Sequence, residues 1–249
     1  MTLHSLNAGV RSQFVLVAHA ILDLFFPPRC AACNRFGSRL CTSCLAEIEP
    51  LLPPICERCG RPARVSGTCS ICRRTPSSLD GTRSASILDE PLRSAVHDFK
   101  YRGARELADP LASLLVDCWQ RNSLHADLVV PIPLHRNRQR ERGYNQAALL
   151  ARSLGDSLGL RTSEGEVHRQ RATRPQVGLT APQRRENVDG AFACSSGAMH
   201  GLSVVLVDDV CTSGATLEAC AAALRTEGLA RSIWALTVAR ARGLDDRVH

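Results

Sequence analysis

Two hydrophobic periods alternate along this chain. Leu107, Leu111, Leu114 and Leu115 fall on one helical face within Glu106–Arg121, and helices are also predicted over Pro91–Phe99, Ala147–Leu158 and Thr216–Arg225. Between them lie short runs of strand type at Thr82–Leu88, Asp127–Pro133, Glu164–Arg171, Gly190–Cys194, Ser203–Val207 and Ile233–Val238. The strongest of these runs are apolar throughout, which predicts burial on both faces. The fold class is therefore α/β, with a mainly parallel sheet and helices on both faces. Such sheets present ligand sites at the carboxyl ends of their strands. Arg171–Asp189 is polar, carries prolines and shows no period, so it reads as a long loop.

Upstream of this pattern, an apolar run covers residues 14–26, with His19 and Asp23 inside it and Pro27-Pro28 after it. A membrane span needs about 20 apolar residues. The run is shorter, and Phe14, Val17, Ile21 and Leu24 follow helical spacing, so a short helix stopped by proline is expected. The expected division is an N-terminal helix over 1–28, a cysteine-rich module over 29–78 and an α/β domain over 79–249. The expected compartment is the cytoplasm, with no membrane span.

Eight of the twelve cysteines form four C-x2-C pairs: Cys30/Cys33, Cys41/Cys44, Cys56/Cys59 and Cys69/Cys72. A two-residue spacer lets both sulfurs of a pair face one ion, and two pairs complete a tetrahedral zinc site. Two structural zinc ions in a zinc-ribbon-like module are the reading. A disulfide framework and iron–sulfur clusters are the alternatives. The spacing leaves open whether the pairs combine in sequence or cross over. Asn34 and Gly60 follow the leading pair of each half, and both residue types accept the left-handed conformation of a tight turn.

Basic residues outnumber acidic ones 31 to 24, and Lys100 is the only lysine. Eight thiolates and two divalent ions would lower the formal +7 to about +3. Net charge then says little about nucleic acid, and only local patches count.

The chemistry concentrates at Val204–Thr216. An apolar strand ends in Asp208 and Asp209, followed by Thr212, Ser213, Gly214, Ala215 and Thr216 at the start of a helix. Two carboxylates can accept from neighbouring ribose hydroxyls, and amides and hydroxyls at a helix start can hold a phosphate. Both aspartates are expected at a solvent-facing strand end. The thirteen residues resemble the phosphoribosyl-pyrophosphate (PRPP) signature of type I phosphoribosyltransferases, with Cys211 where an aliphatic residue is usual.

Further stretches extend the likeness: Phe99-Lys100-Tyr101-Arg102-Gly103, Pro131–His135 with Arg140–Gln146, and Arg171–Leu179 with Arg184-Arg185-x-Asn187. On these residues the chain resembles the ComF family, in which a cysteine module precedes a type I phosphoribosyltransferase-like domain. The resemblance implies PRPP binding with magnesium at Asp208, Asp209 and Thr212–Thr216, and a link to DNA uptake in competent bacteria. Arg136, Arg138, Arg140 and Arg142 occupy alternate places. On an extended segment they would share one side, which suits a pyrophosphate loop. Arg171, Arg184 and Arg185 resemble the mobile loop that closes over PRPP.

Two functional classes stay open. One is a binding module responsive to PRPP that serves DNA uptake, with single-stranded DNA and DNA-uptake proteins as partners. The other is a magnesium-dependent transferase of unknown acceptor, since Ala239–His249 offers no aromatic ring to stack on a base.

Overall fold

The computed structural model describes residues 27–173 and 179–242. The apolar run at 14–26, and with it the expected N-terminal helix, lies outside these residues. The cysteine module comes first, with two short helices, α1 (Thr42–Ala46) and α2 (Ser70–Arg74). There follow β1 (Gly81–Ile87), α3 (Leu92–Tyr101), a 3-10 turn (Arg105–Leu107), α4 (Ala108–Arg121), β2 (Leu128–Pro131), α5 (Arg136–Arg142) and α6 (Gln146–Leu158). The chain continues through β3 (Arg161–Thr162), β4 (Val167–Arg169), α7 (Ala181–Val188), β5 (Phe192–Cys194), β6 (Ser203–Cys211), α8 (Ala215–Thr226) and β7 (Ser232–Arg240).

Five strands form one sheet in the order β1-β7-β6-β2-β3, with every adjacent pair parallel. Side chains alternate across it and build two cores. Val129, Val205, Val207, Leu236 and Val238 face α3, α4 and α6. Leu128, Val130, Val204, Leu206, Ile233 and Ala235 face α8 and an antiparallel pair, β4 with β5. Burial on both faces is why these runs lack a polar position. Truncating a side chain as enclosed as Leu206 would cost about 2–5 kcal/mol.

Three sequence expectations are corrected. The arginine segment 136–142 is helical: His135 caps its start by accepting from the Asn137 amide, and Gly143 ends it at φ +79°. Arg171–Asp189 is not loop throughout, because Ala181–Val188 is a helix opened by a capping box between Thr180 and Gln183 with Pro182 in the first turn. The strand expected over Glu164–Arg171 is confined to Val167–Arg169.

The cysteine module covers the β1 edge of the sheet, which would otherwise present unpaired backbone groups. Pro50 bridges Ser86 in antiparallel fashion, and the Leu51 amide donates to the Ala85 carbonyl at 2.8 Å. From the first half of the module, Cys30, Leu40, Cys44 and Ile48 join the core that contains α4. In the second half, the Thr82 amide donates to the Arg58 carbonyl at 2.6 Å. Gly60 sits here at φ +66°, and a Cβ on it would lie 2.3 Å from the Thr82 carbonyl oxygen. Glycine is required at this contact for both its conformation and its size.

Candidate metal centres and phosphate site

The cysteines gather in two groups of four, Cys30/Cys33/Cys41/Cys44 and Cys56/Cys59/Cys69/Cys72, with the sulfurs of each group within 4.8 Å of one another. The pairs therefore combine in sequence and do not cross over. All twelve cysteines are free thiols, against a disulfide framework. Ligands about 2.3 Å from a tetrahedral zinc stand about 3.8 Å apart. Cys33 and Cys41 sulfurs lie 3.6 Å apart and those of Cys59 and Cys69 4.0 Å, so both groups fit that ion. The halves repeat in detail: the Cys41 amide faces the Cys30 sulfur at 3.5 Å, and the Cys69 amide faces that of Cys56 at 3.3 Å. Burial alone would raise the Cys30 and Cys56 thiols, but such amides outweigh it and bring both to about 6. Burial and the neighbouring thiols push Cys44 and Cys72 upward. Four crowded thiols cannot all ionise without a cation, and zinc would supply that charge.

The second centre lies where the sheet changes direction. From β2 the chain passes through α6 to β3 on one side, and from β6 it passes through α8 to β7 on the other. Ligands of doubly wound sheets bind at such a divergence, outside the carboxyl ends of the strands, here those of β2 and β6. Pro131 at the end of β2 is level with Val207, whereas β6 runs on to Cys211 beside β7. Asp208 and Asp209 thus lie inside the β7 ladder, with the edge toward β2 open beyond the Ile132 amide, which donates to the Val207 carbonyl.

Successive strand residues point to opposite faces, and this divides the two aspartates. Asp208, half-buried, accepts from the Asp209 amide at 2.8 Å. Burial, reinforced by the charge of Asp209, lifts its carboxyl to about 7, with Lys100 opposing. Asp209 points to the other face and is only 3% exposed. Its Oδ1 meets Lys100 Nζ at 2.9 Å, and its Oδ2 is buried without a partner. The expectation that both face solvent fails, because one of them is committed to an internal ion pair. After Cys211, Gly214 at φ +82° turns the chain into α8, with the Thr212, Ser213 and Thr216 positions half-buried at the helix start.

Lys100 was not among the site residues predicted from sequence, although it is the only lysine in the chain. It belongs to a knot of contacts between α3 and the α5–α6 corner. Tyr144 donates its hydroxyl to the Phe99 carbonyl, and the Arg142 guanidinium lies 5.5 Å from the Tyr101 ring centre while bonding Gln146. Arg105 covers the Tyr144 ring at 4.8 Å and donates to the Gly143 carbonyl at 3.0 Å. The α5–α6 corner thereby braces the end of the helix that carries Lys100 to Asp209.

The remaining predicted arginines divide. Arg136, Arg138 and Arg140 are exposed on α5, and Arg185 is exposed on α7 with Arg184 half-buried beside it. Arg171 donates to the Asn187 and Asp189 carbonyls at 3.3 and 2.6 Å, tying the chain after β4 to the end of α7. Arg169, part of the arginine-rich stretch that resembles the mobile loop, lies on β4. Its guanidinium lies 5.3 Å from the Phe192 ring centre, and its Nε is buried without a partner. Burial lowers its pKa, against the pull of Asp208, and the charges of Arg138 and Arg171 act on it as well. Three arginines and Asp208 therefore share one electrostatic neighbourhood.

Comparison with known proteins assigns the two units. The double zinc ribbon domain family matches residues 21–73, and the phosphoribosyl transferase domain family matches residues 140–249. The chain is 32% identical over 225 residues to competence protein F of Haemophilus influenzae, covering 85% of this chain and 97% of that protein. It is 33% identical over 204 residues to the DNA utilization protein YhgH of Salmonella typhi, covering 79% and 89%, respectively. Competence protein ComFC of Bacillus subtilis is 28% identical over 214 residues, covering 81% of this chain and 84% of its own length. Among solved structures, the glutamine PRPP amidotransferase from B. subtilis superposes with a TM-score of 0.40 at 17% identity, over 57% of this chain and 30% of that one. The two family matches, with the parallel sheet, make the molecule an α/β phosphoribosyltransferase-type domain carrying a double zinc ribbon. The chain belongs to the ComF family, that of competence protein F.

Proposed function

We propose that this protein binds PRPP with magnesium at the β6–α8 turn and serves as an accessory in DNA uptake. The observation that carries the reading is the turn itself: a half-buried Asp208 at the open strand edge, then Gly214 leading into a twelve-residue helix. Asp208 would accept from ribose hydroxyls, and the amides of Thr212–Thr216 would hold the 5'-phosphate against the positive end of the helix. Asp209, held by Lys100, would keep the floor of the site charged and fixed. Magnesium suits the donor set if substrate oxygens and water supply most of its ligands, as is usual for this ion.

Pyrophosphate would meet α5. Arg136 with Arg140, and Arg138 with Arg142, are like charges one helical turn apart, which weakens an isolated helix by about 0.2–0.5 kcal/mol per pair. A bound anion would relieve that repulsion. Arg171, Arg184 and Arg185 would approach from the β4–α7 side.

The names of the relatives, competence and DNA utilization, support the role in DNA uptake, with single-stranded DNA and uptake proteins as partners. The proposed division is a zinc module over 29–78 and a PRPP domain over 79–249, acting in the cytoplasm. Among the described residues no helix is long and apolar enough to cross a membrane. Turnover is the second reading. Stabilising a leaving pyrophosphate and excluding water could suffice for phosphoribosyl transfer, and the half-buried cations Lys100 and Arg169, whose charges act on the two aspartates, favour it. Calorimetry with PRPP and magnesium tests binding, and absence of heat from the wild-type chain would refute it. Pyrophosphate release with and without single-stranded DNA separates the two readings.

A further inference from the structure

The second zinc ribbon and the β6–α8 turn meet through one side chain. Arg240 ends β7 level with Cys211, which ends β6, and the Ala241 amide donates to the Cys211 carbonyl at 2.9 Å. Although charged, Arg240 is only 3% exposed. Thr82 and Ser84 on β1 and Thr237 on β7 are buried as well, and the Ser84 and Thr237 hydroxyls bond at 2.7 Å. Its guanidinium donates to the backbone carbonyl of Cys59, its Nε has no partner, and its backbone is paired in the ladder with Cys211. Cys211 is itself buried, and its sulfur would lie 3.9 Å from a Cβ placed on Gly214.

The acceptor in this arrangement is a carbonyl of a zinc-ligand residue. The Cys56–Cys59 turn would hold its shape by closing on an ion at its four sulfurs, and it is held by the tight approach of Gly60 to Thr82. A guanidinium buried with few partners depends on each acceptor it has. Displacing the Cys59 carbonyl would leave the charge to reorganise against Cys211, at the root of the Thr212–Thr216 turn. Among the described residues the first ribbon shows no such link, its core contacts being to the layer around α4.

We propose that Arg240 is a positioning residue that couples the second zinc site to the conformation of the PRPP turn, so that an intact Cys56/Cys59/Cys69/Cys72 centre is needed for a formed phosphate site. The regulatory consequence rests on the PRPP reading above, whereas the coupling itself can be measured without ligand.

The test uses full-length, zinc-loaded protein and Arg240→Gln, which leaves all eight cysteines in place. Hydrogen exchange should rise in a peptide covering 208–216 while α6, across the sheet, exchanges as in wild type, with two zinc ions per chain retained. PRPP affinity measured by calorimetry should fall roughly tenfold or more, the scale of one lost charge-assisted bond. Cys59→Ser should reproduce the exchange change at 208–216. Unchanged exchange at 208–216 in Arg240→Gln would overturn the proposal, as would a rise spread evenly over α6 and the turn, which marks general destabilisation. If exchange rises locally but wild-type protein fails to bind PRPP, the coupling stands and the PRPP reading falls.

Discussion

Lys100 Nζ stands 2.9 Å from Asp209 Oδ1, with 20% of the lysine side chain and 4% of the aspartate exposed. The pair joins the last turn of α3 to the strand that carries the phosphate site. Removing one partner from a buried pair leaves an uncompensated charge, at a cost of about 3–5 kcal/mol. Lys100→Met should therefore destabilise the protein by that order in urea denaturation. Adding Asp209→Asn should recover much of the loss. A double variant no more stable than the single one would show that the pair is not its source.

The raised Asp208 carboxyl gives a pH dependence of definite sign. Its pKa is about 7 in the folded protein against 3.8 as the ordinary value, so the folded state binds more protons between about pH 4 and 7. Its contribution to stability is therefore most favourable below pH 4, declines as pH rises to 7, and is constant above. PRPP affinity should run the other way, because the ionised carboxylate is the stronger acceptor for ribose hydroxyls. Calorimetry between pH 5.5 and 8 should show affinity rising to about pH 7 and then levelling. In Asp208→Asn that slope should disappear along with most of the binding.

Legibility from sequence followed the strength of local signals. The central strands announced themselves because burial on both faces leaves Val204–Val207 without a polar residue, and the four C-x2-C pairs carried their own chemistry. The arginine helix α5 escaped because it has no apolar stripe, although Gly143 is a usual helix stop. Helix α7 escaped for the same reason, although Thr180, Pro182 and Gln183 spelled a capping box. Lys100, Arg169 and Arg240 could not be placed from spacing. Each acts across a long sequence separation, and only the packing of α3, β4 and the second ribbon decides which face it meets.

Zinc content should be close to two ions per chain, since each half supplies four sulfurs to one compact group. Because the pairs combine in sequence, Cys33→Ser should lose the first ion and keep the second. Elemental analysis of anaerobically prepared protein checks both statements. Retention of two ions in that variant, or loss of both, would contradict independent sites. Lower thermal stability should accompany the loss, because structural zinc binding contributes directly to folding.

The helical form of 136–142 changes what the arginines can do together. Residues four apart share a helix face, so Arg136 pairs with Arg140, and Arg138 pairs with Arg142. Arg138 acts on Arg169 near Asp208, and Arg142 bonds Gln146 beside Tyr101, so this second pair borders the phosphate site. Arg136 and Arg140 are exposed, as is Arg138, but they lie on the other face of the helix. Replacing Arg138 and Arg142 by alanine should weaken PRPP binding by about tenfold or more, the scale of charge-assisted bonds to phosphate. Each contact with a single-stranded DNA phosphate adds a slope of about −0.7 in log affinity against log salt. Replacing Arg136 and Arg140 should flatten that slope by roughly one to two units and weaken PRPP binding less than the Arg138 and Arg142 pair does. If both ligands use one face, PRPP will compete with DNA and a single pair of substitutions will weaken both. If the DNA slope is unmoved by either pair, the DNA surface lies away from α5, and the arginines of the zinc module become the next to replace.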